Sequence, residues 1–143
     1  LSVHDLNDRL LDDQPKFIRV PLDDIPGFIG TPDLALYIPS KEPQIRSYTI
    51  DTNTNPVSVY LHSFRNGQWL VCASKVPIQL DSTHIEIPYT CDTQPGDCGQ
   101  PVITNGGTVK GLHCAALEKS ELNSFVPFSI PVLMKVLDAQ CRI

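Results

Sequence analysis

The run PVITNGGTVKGLHCAAL at 101–117 holds two apolar stretches on either side of Thr-Asn-Gly-Gly at 104–107. Asn-Gly and Gly-Gly dipeptides between apolar segments are a strong hairpin signal, because their residues adopt the positive φ that a tight strand reversal needs. Strands are therefore expected at 101–105 and 108–117. The same pattern repeats outward: "LALYI" (34–38), "VSVYLHSF" (57–64), "QWLVCASKV" (68–76), "HIEIPY" (84–89) and "SFVPFSI" (124–130) are short, rich in β-branched and aromatic residues, and separated by Asn, Gly, Asp and Pro turns. Only "PVLMKVLDA" (131–139) reads as a helix, opened by Ser129 and Pro131, with apolar residues at 132, 133, 136 and 137.

Six short strands from Val57 to Ile130 are about what one antiparallel barrel uses. Ahead of them, "DTNTNP" at 51–56 reads as a linker, which leaves 1–50 as part of a first barrel and 57–143 as a second with its C-terminal helix. At 143 residues, with 13 prolines, 8 glycines and 41% hydrophobic residues, the chain has the composition of an all-β domain able to bury a core. Internal repeats and low-complexity segments are absent from the sequence.

The net charge is −5, from 11 Lys and Arg against 16 Asp and Glu, and no basic block occurs. That balance disfavours nucleic acid as the main partner, since phosphate binding needs a basic stripe. Five cysteines with no Cys-x-x-Cys spacing make no complete disulfide framework, so a reducing compartment is expected. No signal peptide and no apolar run of about 20 residues, the length of a membrane span, is seen.

One cysteine stands apart. In "TQPGDCGQP" (93–101), on the loop between the strands expected at 84–89 and 101–105, Cys98 lies among Gly96, Asp97 and Gly99, whereas "WLVCAS" and "GLHCAA" hold cysteines in plain apolar surroundings. A thiol that attacks an amide needs a nearby base and converging backbone N–H groups for the developing oxyanion. Gly96 lets the loop fold tightly enough for such convergence, and Gly99 leaves room for a substrate backbone. A tight turn around a buried cysteine fits Gly-x-Cys-Gly equally well. Other residues widen the pattern: His113 in the apolar "GLHCAA", Thr93 ahead of the cysteine, Asp33 at the mouth of the strand "LALYI", and His4 in "LSVHDL". A zinc site from Cys91, Cys98, His113 and Cys114 is disfavoured, because structural zinc draws ligands two to four residues apart and adjacent strand residues point to opposite faces.

The order His4, Asp33, Gly-Asp-Cys-Gly at 96–99 and Gly-Leu-His at 111–113 resembles the 3C-like cysteine proteases of picornavirus-like and calicivirus-like positive-strand RNA viruses. The resemblance implies a chymotrypsin-like double antiparallel β-barrel, with Cys98 as nucleophile, His4 as general base and Asp33 as the acid that orients it. It also implies an oxyanion hole from the backbone of Gly96, Asp97 and Cys98, and recognition by His113 and Thr93 of a Gln or Glu side chain before the cut. Many members carry a second glycine after Cys-Gly, where Gln100 stands here.

The fold places two strands before its catalytic histidine. Only Leu1, Ser2 and Val3 precede His4, so an incomplete N-terminal barrel is expected. His62 and His84 fall where the fold would not put a base. What the resemblance implies functionally is cleavage of a viral polyprotein, and of host proteins, in the cytoplasm of the infected host cell, without metal or organic cofactor. It further suggests weak RNA contact at 43–50, where Arg46 stands nearly alone. The opposing reading is an inactive chymotrypsin-like scaffold that serves as a protein- or RNA-binding module.

Overall fold

A computed structural model describes residues 2–4, 7–25, 33–42, 46–74, 87–90, 98–116 and 122–141. Antiparallel strands dominate. β1 (Val3–His4) pairs with β2 (Leu10–Asp12), and β3 (Lys16–Pro21) with β4 (Asp33–Ile38). A six-stranded sheet follows, from β5 (Val59–Arg65), β6 (Gln68–Ala73), β7 (Ile87–Thr90), β8 (Pro101–Thr104), β9 (Val109–Ala116) and β10 (Leu122–Pro127), in the order β6-β5-β8-β9-β10-β7. The last described element is α1 (Ile130–Cys141). This is the expected all-β architecture with one C-terminal helix, and no closed barrel forms among the described residues. None of the described helices is long and apolar enough to cross a membrane.

Turn chemistry sets the local registers. Asn66 and Gly67 both have positive φ, 51° and 75°, the combination a two-residue type I′ hairpin requires, and they join Arg65 to its partner Gln68. At 104–107 the reversal is longer: the Gly107 N–H donates to the Thr104 carbonyl at 3.0 Å, and Gly107 itself has φ 80°. Ile130, placed with the last strand on sequence grounds, belongs to α1, whose first turn is capped by the buried Ser129 hydroxyl facing the Val132 N–H at 3.4 Å.

Alternation along β10 joins the two halves of the molecule. Phe125 packs on one face of the sheet with Val59, Leu61 and Val102, while its neighbour Val126 packs on the other with Val20, Leu22, Ile25 and Val132. The second cluster draws β3, β4 and α1 together, and Leu34, Leu36 and Cys114 pack against it. At ~1.5–3 kcal/mol per large side chain buried, this cluster is what holds the β3–β4 hairpin against the large sheet. β2 is tied to the end of β4 by Asp12, whose carboxylate accepts the Ser40 N–H at 2.7 Å, the Ser40 hydroxyl at 2.5 Å and the Gln14 N–H at 3.0 Å.

Gly111 on β9 has no room for a side chain. A Cβ there would run into the Val126 carbonyl, the Phe125 ring at 2.7 Å and the Pro127 Cα at 2.9 Å, so β9 and β10 approach as only glycine permits. Gly111→Ala is expected to lower stability by about 3 kcal/mol, read as a shift in the urea midpoint at unchanged slope.

Candidate active site

Cys98 is exposed and its thiol is free. Just after it, Gly99 has φ 87°, while a Cβ built there would meet nothing, so the glycine is needed for backbone conformation rather than for space. That turn delivers the chain into β8 alongside β9. The Gly99 N–H donates to the His113 carbonyl at 2.8 Å, and the His113 N–H donates to the Gln100 carbonyl at 2.9 Å. Two backbone bonds therefore fasten the cysteine loop to the strand position that carries the histidine. His113 is only 5% exposed.

Both residues line one cleft of about 440 Å³. Its far wall comes from the β3–β4 hairpin, through Phe17, Arg19, Leu34, Ala35 and Tyr37, and its remaining lining from Gly99, Leu112, Cys114 and Val126. A second cavity, of about 370 Å³, separates β3 from α1 and is lined by Ile18, Arg19, Val20, Pro21, Lys135, Asp138 and Ala139. It holds neither a thiol nor an imidazole, so the chemistry belongs to the first.

The other candidate residues divide. Asp33 is the first residue of β4, paired with Pro21, and the adjacent Leu34 lines the cleft. His4 stands on β1, is exposed, and is not among the residues lining the cleft; its Nδ1 lies 3.4 Å from the Ser2 hydroxyl. Thr93, Gly96, Asp97, Cys91 and His84 lie outside the described residues. Among the described residues no group of three His, Cys, Asp or Glu side chains could hold a metal ion.

Phe17, Arg19, Ala35 and Tyr37 were not singled out from sequence as site residues. Their signal was faint: "KFIRVP" at 16–21 alternates Phe17 and Arg19 with Ile18 and Val20, and only the pairing with β4 shows that Phe17 and Arg19 line the cleft while Val20 packs into the core.

No protein-family profile and no curated protein matches this sequence. Solved structures do match. The protease of tobacco vein mottling virus superposes with a TM-score of 0.57 at 17% identity, over 86% of this chain and 56% of that one. The catalytically active protease of tobacco etch virus, complexed with product, gives 0.54 at 18% identity, over 76% of this chain and 49% of that one. Both are proteases of viruses, and neither likeness confirms the picornavirus-like or calicivirus-like assignment of the sequence resemblance. The chain thus has the fold of chymotrypsin-like viral proteases, and it spans about half the length of these two.

Proposed function

We propose that this chain carries the nucleophile-bearing part of a viral cysteine endopeptidase that cuts a viral polyprotein after Gln or Glu. The observation that carries the reading is an exposed, free Cys98 sharing a cleft with the buried His113, in a chain with the fold of viral proteases. In the proposed reaction the Cys98 sulfur gives its proton to the base and attacks the scissile carbonyl. The carbonyl electrons move onto the oxygen, which the backbone N–H groups of Gly96, Asp97 and Cys98 stabilise. Collapse breaks the C–N bond, the base protonates the leaving amine, and water then hydrolyses the thioester.

His4 is the base by chain order and Asp33 its orienting acid, a role that requires β1 to bring the His4 imidazole to Cys98. His113 and Thr93 donate to the side-chain carbonyl oxygen of the residue before the cut. A substrate lacking that oxygen forgoes those bonds, at a cost of ~1–3 kcal/mol each. Viral polyprotein and host protein segments in the host cytoplasm are the substrates, bound as an extra strand. Weak RNA contact at 43–50 would be a separate activity.

The test is a peptide library varied on the acyl side of the bond. The unmodified chain is expected to cut only Gln or Glu peptides, and His113→Ala to relax that choice while turnover persists; unchanged selectivity would remove His113 from its role. His4→Ala should silence the chain. If it does not, the base is not His4; turnover that appears only in a form extended at the N-terminus would mean that strands ahead of His4 are needed.

A further inference from the structure

β9 is irregular on both sides of His113. Against β8 the register pairs Val102 with Gly111 and Ile103 with Val109, which makes Lys110 an extra residue. Against β10 it pairs Ser124 with Ala115 and Phe125 with His113, which makes Cys114 another. An extra residue bends its strand, raises the local twist and re-aims the side chains beyond it. The three residues between the two bulges, Gly111, Leu112 and His113, are therefore aimed by how each bulge is held.

The Lys110 bulge is held by segments outside the β8–β9 pair. Its buried ammonium reaches Asp51 at 3.2 Å and the Asn53 carbonyl, and its own carbonyl accepts the Phe128 N–H at 2.7 Å. Ile50 bridges to the adjacent Val109. Nothing in the proposed reaction uses this cation. Well-packed apolar side chains often serve stability as well as a buried ion pair does, so what the pair adds at a bulge is a fixed geometry. At the other end of the stretch, the two backbone bonds between His113 and the 99–100 turn hold the strand against the cysteine loop, so a change at the bulge is taken up as rotation at His113. We infer that Lys110, clamped by Asp51, is a positioning residue that aims His113 at the side chain before the cut and so sets the selectivity for Gln or Glu. The inference rests on the proposed protease reading for what His113 contacts, and on strand geometry for what aims it.

Histidine resonances test the positioning without reference to catalysis. The sequence has 4 histidines, so the imidazole signals of His113 are assigned by comparison with His113→Ala. Lys110→Met and Asp51→Asn are each expected to move the His113 signals, while those of His62 on β5 stay in place. Lys110→Met keeps a long side chain in the bulge and guards against a loss of fold, checked by the melting temperature. Ser129→Ala removes the α1 cap, lowers stability without touching the clamp, and should leave the His113 signals alone. In peptide cleavage, Lys110→Met should lower the preference for a Gln peptide over its Ala counterpart by about 10-fold, through a raised KM for the Gln peptide at unchanged kcat. Unmoved His113 signals in both clamp variants, or an equal movement in Ser129→Ala, would overturn the inference. Gln-selective cleavage that neither clamp variant alters would also overturn it and leave the protease reading standing. His113 signals that move only in the clamp variants, with no peptide cut by the unmodified chain, would uphold the positioning of His113 and refute the protease reading.

Discussion

Replacing Cys98 with alanine is expected to lower turnover of a Gln peptide by on the order of 10⁴-fold or more, with binding little changed. The size follows from covalent catalysis: alanine has no atom to form the thioester, so only water attack assisted by the remaining donors is left. Cys98→Ser is the sharper comparison. It puts an oxygen nucleophile in place of the sulfur at nearly the same volume, so residual turnover well below that of the unmodified chain would separate thiol chemistry from simple loss of packing. Cys98 is exposed and Gly99 supplies the turn's strained φ, so neither change should move the unfolding midpoint. Full activity in the alanine form would remove the thiol from the mechanism.

The second large effect lies away from the cleft. Removing the Asp51 carboxylate should destabilise the fold by about 3 kcal/mol, because Lys110 is left as an uncompensated buried cation. The Lys110 side chain is 2% exposed, and its ammonium pairs with Asp51 at 3.2 Å and also donates to the Asn53 carbonyl. Asp51 is 27% exposed and accepts further bonds from the Thr108 hydroxyl at 3.1 Å and the Asn53 N–H at 2.8 Å. Backbone pairing reinforces the join: the Asp51 N–H donates to the Val109 carbonyl at 3.0 Å, and the Val109 N–H to the Thr49 carbonyl at 2.9 Å. Lys110→Met should cost less, since Asp51 keeps its contact with water once the ammonium is gone. A larger loss in Lys110→Met than in Asp51→Ala would reverse this assignment.

The same cluster has a pH signature. Burial pushes the Asp51 carboxyl up, but the Asn53 N–H, the Lys110 ammonium and the Thr108 hydroxyl outweigh it and hold the group below the ordinary carboxylate range. A carboxyl with a lowered folded-state pKa contributes stability that is complete above its unfolded value, near ~3.9, and is lost as pH falls through the folded value. Asp12 acts with the same sign, lowered chiefly by the Ser40 hydroxyl and then by the Gln14 and Ser40 N–H groups. Urea unfolding from neutral pH down into the acid range should show stability falling, and Asp51→Asn should flatten part of that fall.

The strands on both sides of the 104–107 reversal, the helix after Ser129 and the glycine-flanked Cys98 were legible in the sequence. Each depends on neighbouring residues alone: positive-φ residues at a turn, a period of two in a strand, a cap before an apolar repeat. β3 was not legible as a wall of the site, nor Lys110 as a buried cation, nor Gly111 as a contact between backbones. Those depend on what lies opposite, and opposite partners come from far along the chain, as with Lys110 and Asp51 or Phe17 and Cys98. The sequence by itself determined an all-β chain with one exceptional thiol. Only tertiary structure decided that β9 sets His113 beside that thiol and that Phe17 and Tyr37 face it, because the packing of β10's two faces brings the hairpin and the sheet together.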